Sequence, residues 1–351
     1  MSPTFVYVAC AADGTADVFT FDAGQGSLAL LARTPKFDGV RTLAINPGHG
    51  LLYAGLNGET PLVRTFTING DSGTLTAGPD VELPATNTYV SLSNDGSRLF
   101  SASYLDGAVS SVSVHANGGL AQDARIAATP GPQAHSVIPG PGGAHVYAAS
   151  TGADRLAWYT PANDGTLVEA GAVTSPEGSG PRHFRFSPDG TKLYLLHEMT
   201  GMVRVFDRDL GTGALTEIQS LQSVPDVLGL SRGTLHTPTS PPVDPHRSPI
   251  WCADVQLAGH FLFTTERTSS TISTFAVDPD SGLLTHLRTT PTETQPRGAA
   301  VTPDHDFLLV CGELSHAMSV YRIDPRTGDL ERTDRVETAR GPMWIECHVR
   351  D

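Results

Sequence analysis

The sequence predicts an all-β protein, specifically a seven-bladed β-propeller with four-stranded antiparallel blades. Its 351 residues include 36 glycines and 26 prolines, and only 17% of the residues are charged. Average usage is about 12% for glycine plus proline and about 25% for charged residues. Turns are therefore abundant and long charged helix faces are scarce, which favours many short strands. A repeat of 46 or 47 residues then sets the number of blades.

One copy of the repeat is clear between residues 181 and 220. Residues 181–198 form two runs of alternating apolar side chains around the turn Ser187-Pro188-Asp189-Gly190. This pattern predicts a β-hairpin. A third strand is expected over residues 203–206 and a fourth over residues 215–220, each after a glycine-containing turn. The unit is thus a four-stranded antiparallel blade.

The same unit recurs along the whole chain. The residue equivalent to Tyr194 is aromatic or apolar in each copy, and successive copies are separated by 46, 47, 47, 47, 69 and 46 residues. The seven anchors are Tyr7, Tyr53, Phe100, Tyr147, Tyr194, Phe263 and Leu309. Seven such units predict a seven-bladed propeller, since a single blade cannot bury both of its faces.

The two ends of the chain and the 69-residue interval between the fifth and sixth anchors also fit a seven-bladed ring. The first copy begins at its second strand, residues 5–10, whereas the chain finishes with a first-strand pattern over residues 341–347. We expect this last strand to complete the first blade and close the ring, which removes exposed sheet edges. The long interval carries residues 221–248, which are rich in proline and polar residues and are expected to be a surface insertion. Residues 1–351 are therefore predicted to form one domain.

Charge and composition exclude several classes of partner. The chain has 37 acidic and 23 basic side chains, a formal net charge of −14, and offers no basic surface for a phosphate backbone. We expect no nucleic-acid partner and no anionic membrane surface as a partner. No run of 18 apolar residues predicts a membrane helix, and the first residues are not expected to act as a secretion signal. A closed ring needs no partner to cover its edges, which favours a monomer or a weak homo-oligomer.

The four cysteines predict free thiols rather than disulfides or a metal site. Cys10, Cys252, Cys311 and Cys347 have no C-x-x-C spacing, and each lies in an apolar, strand-like run. Such residues are typical of small buried side chains in a reducing compartment. We therefore expect a cytoplasmic protein.

Repeat positions predict where polar side chains converge. The first strand of each blade lines the central channel, and its start lies on the same face of the disc as the end of the antiparallel second strand. Twelve residues before the anchors come Arg41, Thr88, His135, Arg182, Trp251 and Arg297, with Met343 in the seventh place; four residues after them come Ala11, Asn57, Tyr104, Thr151, Glu198, Arg267 and Glu313. One mouth of the channel is therefore expected to hold four arginines, one histidine and two glutamates.

This composition indicates a site for a small anion. Guanidinium groups bind carboxylate and phosphate through two parallel hydrogen bonds, most effectively when partly dehydrated. Glu198 or His135 beside them can serve as a general acid or base. The catalytic candidates are His135, Arg182, Glu198 and Arg267, and the candidate substrate contacts are Arg41, Asn57, Tyr104, His183, Arg297 and Glu313.

A structural interpretation stays open for the residues that recur. Arg182 and Arg297 both follow a proline at the same repeat position, and Arg41 is a third copy, so this arginine can be a structural element of the blade. Glu198 and Glu313 also recur, and one of them can simply pair with an arginine across the rim.

Other residues depart from the repeat or flank it. His135 and Arg267 have no counterpart at their positions in the other copies, which favours a functional role. His183 and His197 lie on neighbouring predicted strands, and at least one of them is expected to be a packing residue.

Three other motifs are interpreted as loops. Residues 229–233 match the G-x-S-x-G pattern of a nucleophile elbow, but they lie in the proline-rich insertion rather than in a strand–turn–helix unit. His236, Asp244 and His246 in the same insertion lack the regular spacing of a metal site. Residues 211–213 follow an antiparallel strand and lack the remainder of a dinucleotide fingerprint. We therefore expect no catalytic serine, no metal site and no dinucleotide site.

Several segments together resemble the seven-bladed propeller lactonase family. They are the repeated S-P-D-G-x-x-L-Y hairpin and residues 134–136, 180–183, 198, 203–206, 253–255 and 263–267. The resemblance spans nearly the whole chain, and the ordered set His, Arg, Glu, Arg on successive blades is its most specific part. It implies that His135, Arg182, Glu198 and Arg267 correspond to the family's proposed active-site residues. It also implies catalysis without a metal or an organic cofactor.

The resemblance implies a lactonase, with two alternatives left open. The expected substrate is a small anionic or sugar-acid lactone, as for the family's bacterial 6-phosphogluconolactonases. The family's fungal carboxymuconate lactonizing enzymes close such rings, and the same residues suit that reaction. A propeller can also be a non-catalytic binding scaffold, because the fold does not determine the function. Two departures bear on the substrate: Thr265-Glu266-Arg267 replaces the common Ser-Asn-Arg, and the insertion borders the site.

Overall fold

Seven four-stranded antiparallel sheets make up the described part of the chain. The structure, a computed structural model, describes residues 4–37, 39–235 and 248–349. The inner strands of neighbouring sheets contact one another in a closed ring. The predicted seven-bladed, all-β propeller is therefore confirmed.

The strands follow one another blade by blade. Blade one contains β1 (Thr4–Cys10), β2 (Thr15–Asp22) and β3 (Ser27–Arg33); blade two contains β4 (Val40–Asn46), β5 (Leu51–Asn57), β6 (Pro61–Ile68) and β7 (Leu75–Glu82). Blade three contains β8 (Tyr89–Leu92), β9 (Arg98–Ser103), β10 (Ala108–Ser113) and β11 (Arg125–Ala128); blade four contains β12 (Ala134–Pro139), β13 (Val146–Ser150), β14 (Arg155–Pro161) and β15 (Leu167–Thr174).

The remaining three blades and the closing strand have the same arrangement. Blade five contains β16 (Pro181–Phe186), β17 (Lys192–His197), β18 (Met202–Arg208) and β19 (Leu215–Gln222); blade six contains β20 (Cys252–Ala258), β21 (Phe261–Glu266), β22 (Thr271–Val277) and β23 (Leu284–Pro291). Blade seven contains β24 (Pro296–Val301), β25 (Phe307–Gly312), β26 (Ala317–Ile323) and β27 (Leu330–Glu337), and the chain ends with β28 (Pro342–Val349). Two short 3-10 helices span Pro47–His49 and Asp226–Leu228.

The last strand closes the ring as predicted. β28 pairs antiparallel with β1, from Thr4 opposite Val349 to Cys10 opposite Pro342, and becomes the innermost strand of blade one. The sheet order of that blade is β28-β1-β2-β3. The edge that β1 would otherwise present to solvent is therefore covered by the other end of the same chain.

The environment of the seven anchor residues explains why their spacing along the chain is nearly constant. All seven are at most 2% exposed, and each of the seven hydrophobic clusters lies between two neighbouring blades. Four anchors are tyrosines whose hydroxyl groups donate a hydrogen bond to a glycine carbonyl in an outer turn of the next blade. One of these bonds joins Tyr147 to Gly213 at 2.7 Å, and Gly213 has φ +74°, a backbone conformation that favours glycine. Each anchor thus fixes one blade to its neighbour.

The segment between blades five and six begins slightly later than predicted. β19 continues to Gln222, two residues into the predicted insertion. Residues 229–233 follow a 3-10 helix and precede irregular chain, and Ser231 forms an isolated bridge with Pro249. This segment is not the strand–turn–helix unit of a nucleophile elbow, which agrees with the prediction of a loop. His236, Asp244 and His246 lie outside the described residues.

Three further predictions can be compared with the structure. All four cysteines are free thiols; three are buried and Cys347 is partly buried. Within the described residues, no helix is long and apolar enough to cross a bilayer. Residues 211–213 form the turn between β18 and β19, where Asp209 Oδ1 accepts backbone hydrogen bonds from Gly211 and Thr212.

Candidate active site

A cavity of about 260 Å³ opens at one mouth of the central channel. Its walls come from several blades, as the repeat positions predicted. They are formed by Arg41, Asn57, Asn87, Thr88, Tyr104, Leu105, His135, Arg182, His183, Glu198, Trp251, Asp254, Arg267, Arg297, Met343 and Trp344. A cavity of this size suits a small molecule rather than a polymer.

β-bulges on the inner strands place the main polar side chains. Where β4 pairs with β5, β12 with β13 and β24 with β25, the inner strand carries one extra residue, which is Arg41, His135 and Arg297 respectively. One extra residue also occurs between Pro181 and Phe184. A bulge locally bends a strand and redirects a side chain. The recurring irregularity therefore provides the polar wall of the cavity.

Glu198 is enclosed by two arginines and a tryptophan. Its Oε1 accepts hydrogen bonds from Nη2 of Arg267 at 2.5 Å and from Nε1 of Trp251 at 2.7 Å. Its Oε2 lies 3.3 Å from Nε of Arg182, without the alignment of a hydrogen bond. The Arg267 guanidinium also lies over the Trp251 ring, 3.7 Å from its centroid. Arg182 and Arg267 are 2% and 3% exposed, and Glu198 is 9% exposed.

The two arginines keep Glu198 ionised. Burial alone would raise the pKa of the carboxyl group, but Arg267 and Arg182 together lower it below its ordinary value. Burial lowers the pKa of both guanidinium groups, which remain cations at neutral pH. Backbone carbonyls hold them as well: Arg182 donates to Ala253, and Arg267 donates to Trp251 and Cys252 at 3.0 Å each. The cluster therefore carries two positive charges and one negative charge.

Two further arginines lie at the rim. Arg297 is 24% exposed and forms an ion pair with Glu313 at 3.2 Å. Glu313 also accepts a hydrogen bond from Gln295 and does not line the cavity. The structure thus pairs Glu313 with Arg297, which is the alternative left open for one of the two recurring glutamates, and does not bring it to the cavity lining. Arg41 lines the cavity, is exposed, and forms no ion pair with a carboxylate of the described residues.

His183 lies on the inner wall and is oriented by an aspartate from the next blade. Its Nδ1 is 2.9 Å from Oδ1 of Asp254. Asp254 also accepts hydrogen bonds from the backbone of Val255 at 2.9 Å and of Ala299 at 3.0 Å. Burial and the charge of Arg182 lower the pKa of His183 to about 4, although Asp254 opposes the shift. His183 is therefore neutral at pH 7 and donates its Nδ1–H to the carboxylate.

His197 is instead a packing residue. It is fully buried, and its two ring nitrogens contact Ser175 Oγ at 2.8 Å and the Met202 carbonyl at 3.1 Å. It does not line the cavity. The prediction that at least one of His183 and His197 packs is confirmed by this residue.

Three other predicted residues lie at the cavity in different roles. His135 packs edge to face against Tyr104 and His183, with ring centroids 5.8 and 5.1 Å away. Burial, followed by the charge of Arg182, holds the pKa of His135 well below its ordinary value. Tyr104 has a raised pKa because of burial and the nearby Glu198, so its hydroxyl stays protonated. Asn57 uses its side-chain amide to hold the backbone of Asn87, at 2.6 and 2.8 Å.

Asp254 was missed because blade six has a shorter hairpin. In blade five Tyr194 pairs with Arg185, nine residues earlier, whereas in blade six Phe263 pairs with Gln256, only seven residues earlier. Counting twelve residues back from Phe263 therefore gives Trp251, although the structural equivalents of Arg182 and His183 are residues 253 and 254. The sequence feature that could have identified Asp254 is its charge within the apolar run of β20. Asn87, Leu105 and Trp344 also line the cavity without having been predicted as contacts.

A second cavity, of about 510 Å³, shares Asp254 and Trp344 with the first. Its lining includes Arg185, Gln256 and Glu346. Oε1 of Glu346 accepts a hydrogen bond from Nε1 of Trp344 at 2.9 Å. Burial raises the pKa of Glu346 to about 7. Asp254 thus lies in the wall between two polar cavities of the channel.

The chain is similar over nearly its full length to known proteins. A family model described as "Lactonase, 7-bladed beta-propeller" matches residues 5–347. A 6-phosphogluconolactonase of Pectobacterium atrosepticum is 31% identical over 351 residues, which cover 99% of both chains. The solved structure of a periplasmic gluconolactonase of Pseudomonas aeruginosa is 26% identical, with a TM-score of 0.83 and complete coverage of both chains. A structure from Bacteroides uniformis shares the fold, with a TM-score of 0.84 at 23% identity, covering 99% of this chain and all of the other.

Proposed function

Because the chain belongs to the seven-bladed β-propeller lactonase family, we propose that it hydrolyses the ring ester of an anionic sugar-acid lactone. The observation that carries this proposal is the excess of guanidinium groups around a small cavity. Arg182 and Arg267 share one carboxylate, Glu198, and Arg41 has none among the described residues. A net-acidic protein therefore holds a locally positive site of a sugar's size.

The charges favour a substrate with a phosphate or carboxylate group. Arg297 is already neutralised by Glu313, whereas Arg41 at the rim is available for a ligand. Arginine binds such groups through charge-assisted hydrogen bonds. The Pectobacterium relative is named for a phosphorylated gluconolactone. A gluconolactone with a 6-phosphate group is therefore our proposed substrate, with its phosphate toward Arg41.

Two buried guanidinium groups would stabilise the charge that forms during ring opening. Nη2 of Arg182 and Nη1 of Arg267 make no hydrogen bond with the described residues, whereas the other guanidinium nitrogens contact Glu198 or backbone carbonyls. These free N–H groups can donate to the lactone carbonyl oxygen as it becomes an oxyanion. Preorganised donors of this kind typically contribute 10²- to 10³-fold each, as an order of magnitude. We assign this role to Arg182 and Arg267.

The proton-transfer role fits His135 better than Glu198. Oε1 of Glu198 already accepts two hydrogen bonds, and its Oε2 lies against Arg182, so both oxygens of the carboxylate are engaged. We therefore propose that Glu198 positions Arg182 and Arg267. His135 is neutral at pH 7 because its pKa is lowered, so its ring can accept a proton from water.

We also propose that the reaction needs no metal ion. The guanidinium groups supply the positive charge that a metal would otherwise place beside the carbonyl oxygen. Dialysis against EDTA should therefore leave kcat within about twofold of its initial value, and a loss that added zinc or magnesium restores would contradict this part of the proposal.

A substrate panel tests the proposed function. Ring opening releases one proton, so a pH-stat records it directly for 6-phosphogluconolactone, glucono-1,5-lactone and a muconolactone. We expect rates far above the spontaneous rate for the gluconolactones and none for the muconolactone. Hydrolysis of no sugar lactone, or selective turnover of the muconolactone, would overturn the proposal.

A further inference from the structure

Trp251 lies at the cavity but is not part of the hydrophobic core. It is partly exposed, it lines the cavity, and it belongs to none of the seven hydrophobic clusters found in the described residues. A buried tryptophan usually stabilises a protein through its large apolar area. Core packing therefore does not explain why a tryptophan stands here, and its polar contacts are the next evidence.

The hydrogen bonds of Arg267 show what Trp251 contributes. A guanidinium group has five N–H bonds, one on Nε and two on each Nη. Nε donates to the Trp251 carbonyl at 3.0 Å. Nη2 donates to Oε1 of Glu198 at 2.5 Å and to the Cys252 carbonyl at 3.0 Å. The two N–H bonds of Nη1 thus stay without a partner among the described residues, and they are the donors assigned to the oxyanion.

Trp251 also fixes the plane of this guanidinium group. The indole ring lies against it, with 3.7 Å between Cζ of Arg267 and the ring centroid, and arginine commonly stacks on aromatic rings in this way. The indole Nε1–H donates to Oε1 of Glu198 at 2.7 Å, which is the oxygen that also accepts from Arg267. Trp251 therefore holds Arg267 through its carbonyl and its ring, and it holds the carboxylate partner of Arg267 through its N–H.

Glu266 fixes Trp251 in turn. Its side chain is 4% exposed, and its Oε1 accepts the backbone N–H of Trp251 at 2.7 Å. Its Oε2 accepts hydrogen bonds from the backbone N–H and the hydroxyl group of Ser269, at 2.5 and 2.6 Å. Glu266 therefore joins the chain that enters β20 to the turn that carries Arg267.

We propose that Trp251 and Glu266 are positioning residues for lactone hydrolysis: Glu266 fixes Trp251, and Trp251 keeps the Nη1 N–H groups of Arg267 in place to donate to the oxyanion. This inference rests on the proposed function and adds two residues to it. The oxyanion exists only during ring opening, so the two residues should act on kcat. The proposed phosphate contact of Arg41 is separate, so KM should change little.

Two substitutions of Trp251 separate its contacts. Trp251→Phe keeps a ring against Arg267 but lacks the indole N–H, and Trp251→Leu lacks both. For 6-phosphogluconolactone we expect kcat to fall about 30-fold or more in Trp251→Leu and about three- to tenfold in Trp251→Phe, with KM within about threefold. Trp158→Phe is the matched control, because Trp158 packs in a hydrophobic cluster beside Tyr147. It should lower stability and leave kcat within about twofold.

Glu266→Ala tests the second positioning residue. It removes the acceptor for the Trp251 backbone, so we expect kcat to fall about tenfold with KM nearly unchanged. Glu293→Ala is the matched control, because Glu293 is also 4% exposed and accepts a hydrogen bond from Ser319 at 2.5 Å, but does not line the cavity. Both variants should lose stability, and only Glu266→Ala should lose kcat. Equal kcat values in the two variants would overturn the role of Glu266.

An Arg267→Lys background distinguishes positioning from general damage. Lysine keeps the charge but has no planar group for Trp251 to orient. Adding Trp251→Leu to Arg267→Lys should therefore change kcat by no more than about threefold, and losses that multiply would overturn the proposal. If the wild type hydrolyses lactones while Trp251→Leu keeps kcat within threefold, the positioning role is wrong and the proposed function stands. If the wild type hydrolyses none, the proposed function itself fails.

The restraint on Arg267 can be measured in the wild type without turnover. In NMR spectra of ¹⁵N-arginine-labelled protein, a guanidinium group that is held in place gives separate Nη1 and Nη2 signals, whereas a freely rotating one gives a single averaged signal. An Arg267→Lys sample assigns the signals of Arg267. We expect separate signals. One averaged signal would overturn the positioning role even if the Trp251 and Glu266 variants fail to fold.

Discussion

Glu198 and Arg267 connect blades five and six across the mouth of the channel, with Nη2 of the arginine 2.5 Å from Oε1 of the glutamate. Both side chains are buried, and Arg182 faces the other carboxylate oxygen at 3.3 Å. One negative charge thus compensates two buried cations. The ion pair is therefore part of the structure as well as part of the site.

Glu198→Gln should destabilise the protein as well as lower its activity. Removal of the charge leaves two buried guanidinium groups uncompensated, which typically costs about 3–5 kcal/mol. Urea denaturation gives the change in the free energy of unfolding. Glu169→Gln is the matched control, because Glu169 pairs with Arg155 at 2.7 Å but is 46% exposed, and such pairs contribute about 1 kcal/mol or less. Equal losses in the two variants would contradict our description of the site.

Glu346→Gln should increase stability at high pH. The pKa of Glu346 rises from 4.5 to about 7 on folding because of burial, so the folded state favours the protonated form. This preference stabilises the folded state fully below pH 4.5, and the stabilisation is lost as the pH rises through 7. Glutamine cannot ionise and keeps an acceptor for Trp344, so the advantage of the variant over the wild type should grow by about 2–3 kcal/mol between pH 5 and pH 8. A difference in unfolding free energy that stays constant with pH would rule this out.

Glu293→Gln should show the opposite trend. Although burial opposes it, hydrogen bonds from Ser319 and Arg335 lower the pKa of Glu293. A carboxylate with a lowered pKa stabilises the folded state at neutral pH, and this contribution disappears as the pH falls through the lowered value. The variant should therefore be less stable than the wild type at pH 7, by an amount that shrinks toward pH 3, as measured by urea denaturation at each pH. A loss that grows on acidification would contradict the assignment.

Removal of the closing strand should open the ring. A chain that ends at Gly341 lacks β28, which leaves the inner edge of β1 without a partner strand and takes Met343 and Trp344 out of the cavity wall. We expect the melting temperature to fall by more than about 10 °C and the protein to associate through the exposed edge. A synthetic peptide of residues 342–351 should restore the elution volume of the unshortened protein in size-exclusion chromatography. An unchanged melting temperature and size without the peptide would show that closure is not required.

The sequence predicts the blades well because each repeats the same physical constraint. An anchor such as Tyr147 must be buried between two blades and must reach a turn glycine of the next one, so its spacing varies little. Chain closure follows from a missing strand at one end and an extra one at the other. The anchor spacing does not reveal a change in the length of the first hairpin. Because this hairpin is shorter in blade six, counting from Phe263 placed Trp251 at the channel mouth and missed Asp254.

The candidate site is only partly predictable for a related reason. Inner-strand residues such as Arg41 and His135 are directed by bulges that recur from blade to blade, so counting finds them. Residues after the second strand lie in turns whose local geometry differs, and Glu313 accordingly contacts Arg297 rather than the cavity. Partnerships across blades, such as His183 with Asp254, depend on three-dimensional proximity that spacing along one chain does not encode.

The preference for a phosphorylated lactone is the most direct test of the central claim, that the arginine-lined cavity holds and hydrolyses an anionic sugar lactone. The measurement is kcat/KM for 6-phosphogluconolactone and for glucono-1,5-lactone, in the wild type and in Arg41→Gln. Arg288→Gln is the matched control, because it makes the same charge change at an arginine paired with Asp329 on the outer side of the disc. We predict a wild-type preference for the phosphorylated lactone of about tenfold or more, lost in Arg41→Gln only and with the neutral lactone unaffected. Hydrolysis of neither lactone would contradict the proposed activity. An equal effect of Arg41→Gln on both lactones would contradict the proposed phosphate contact of Arg41.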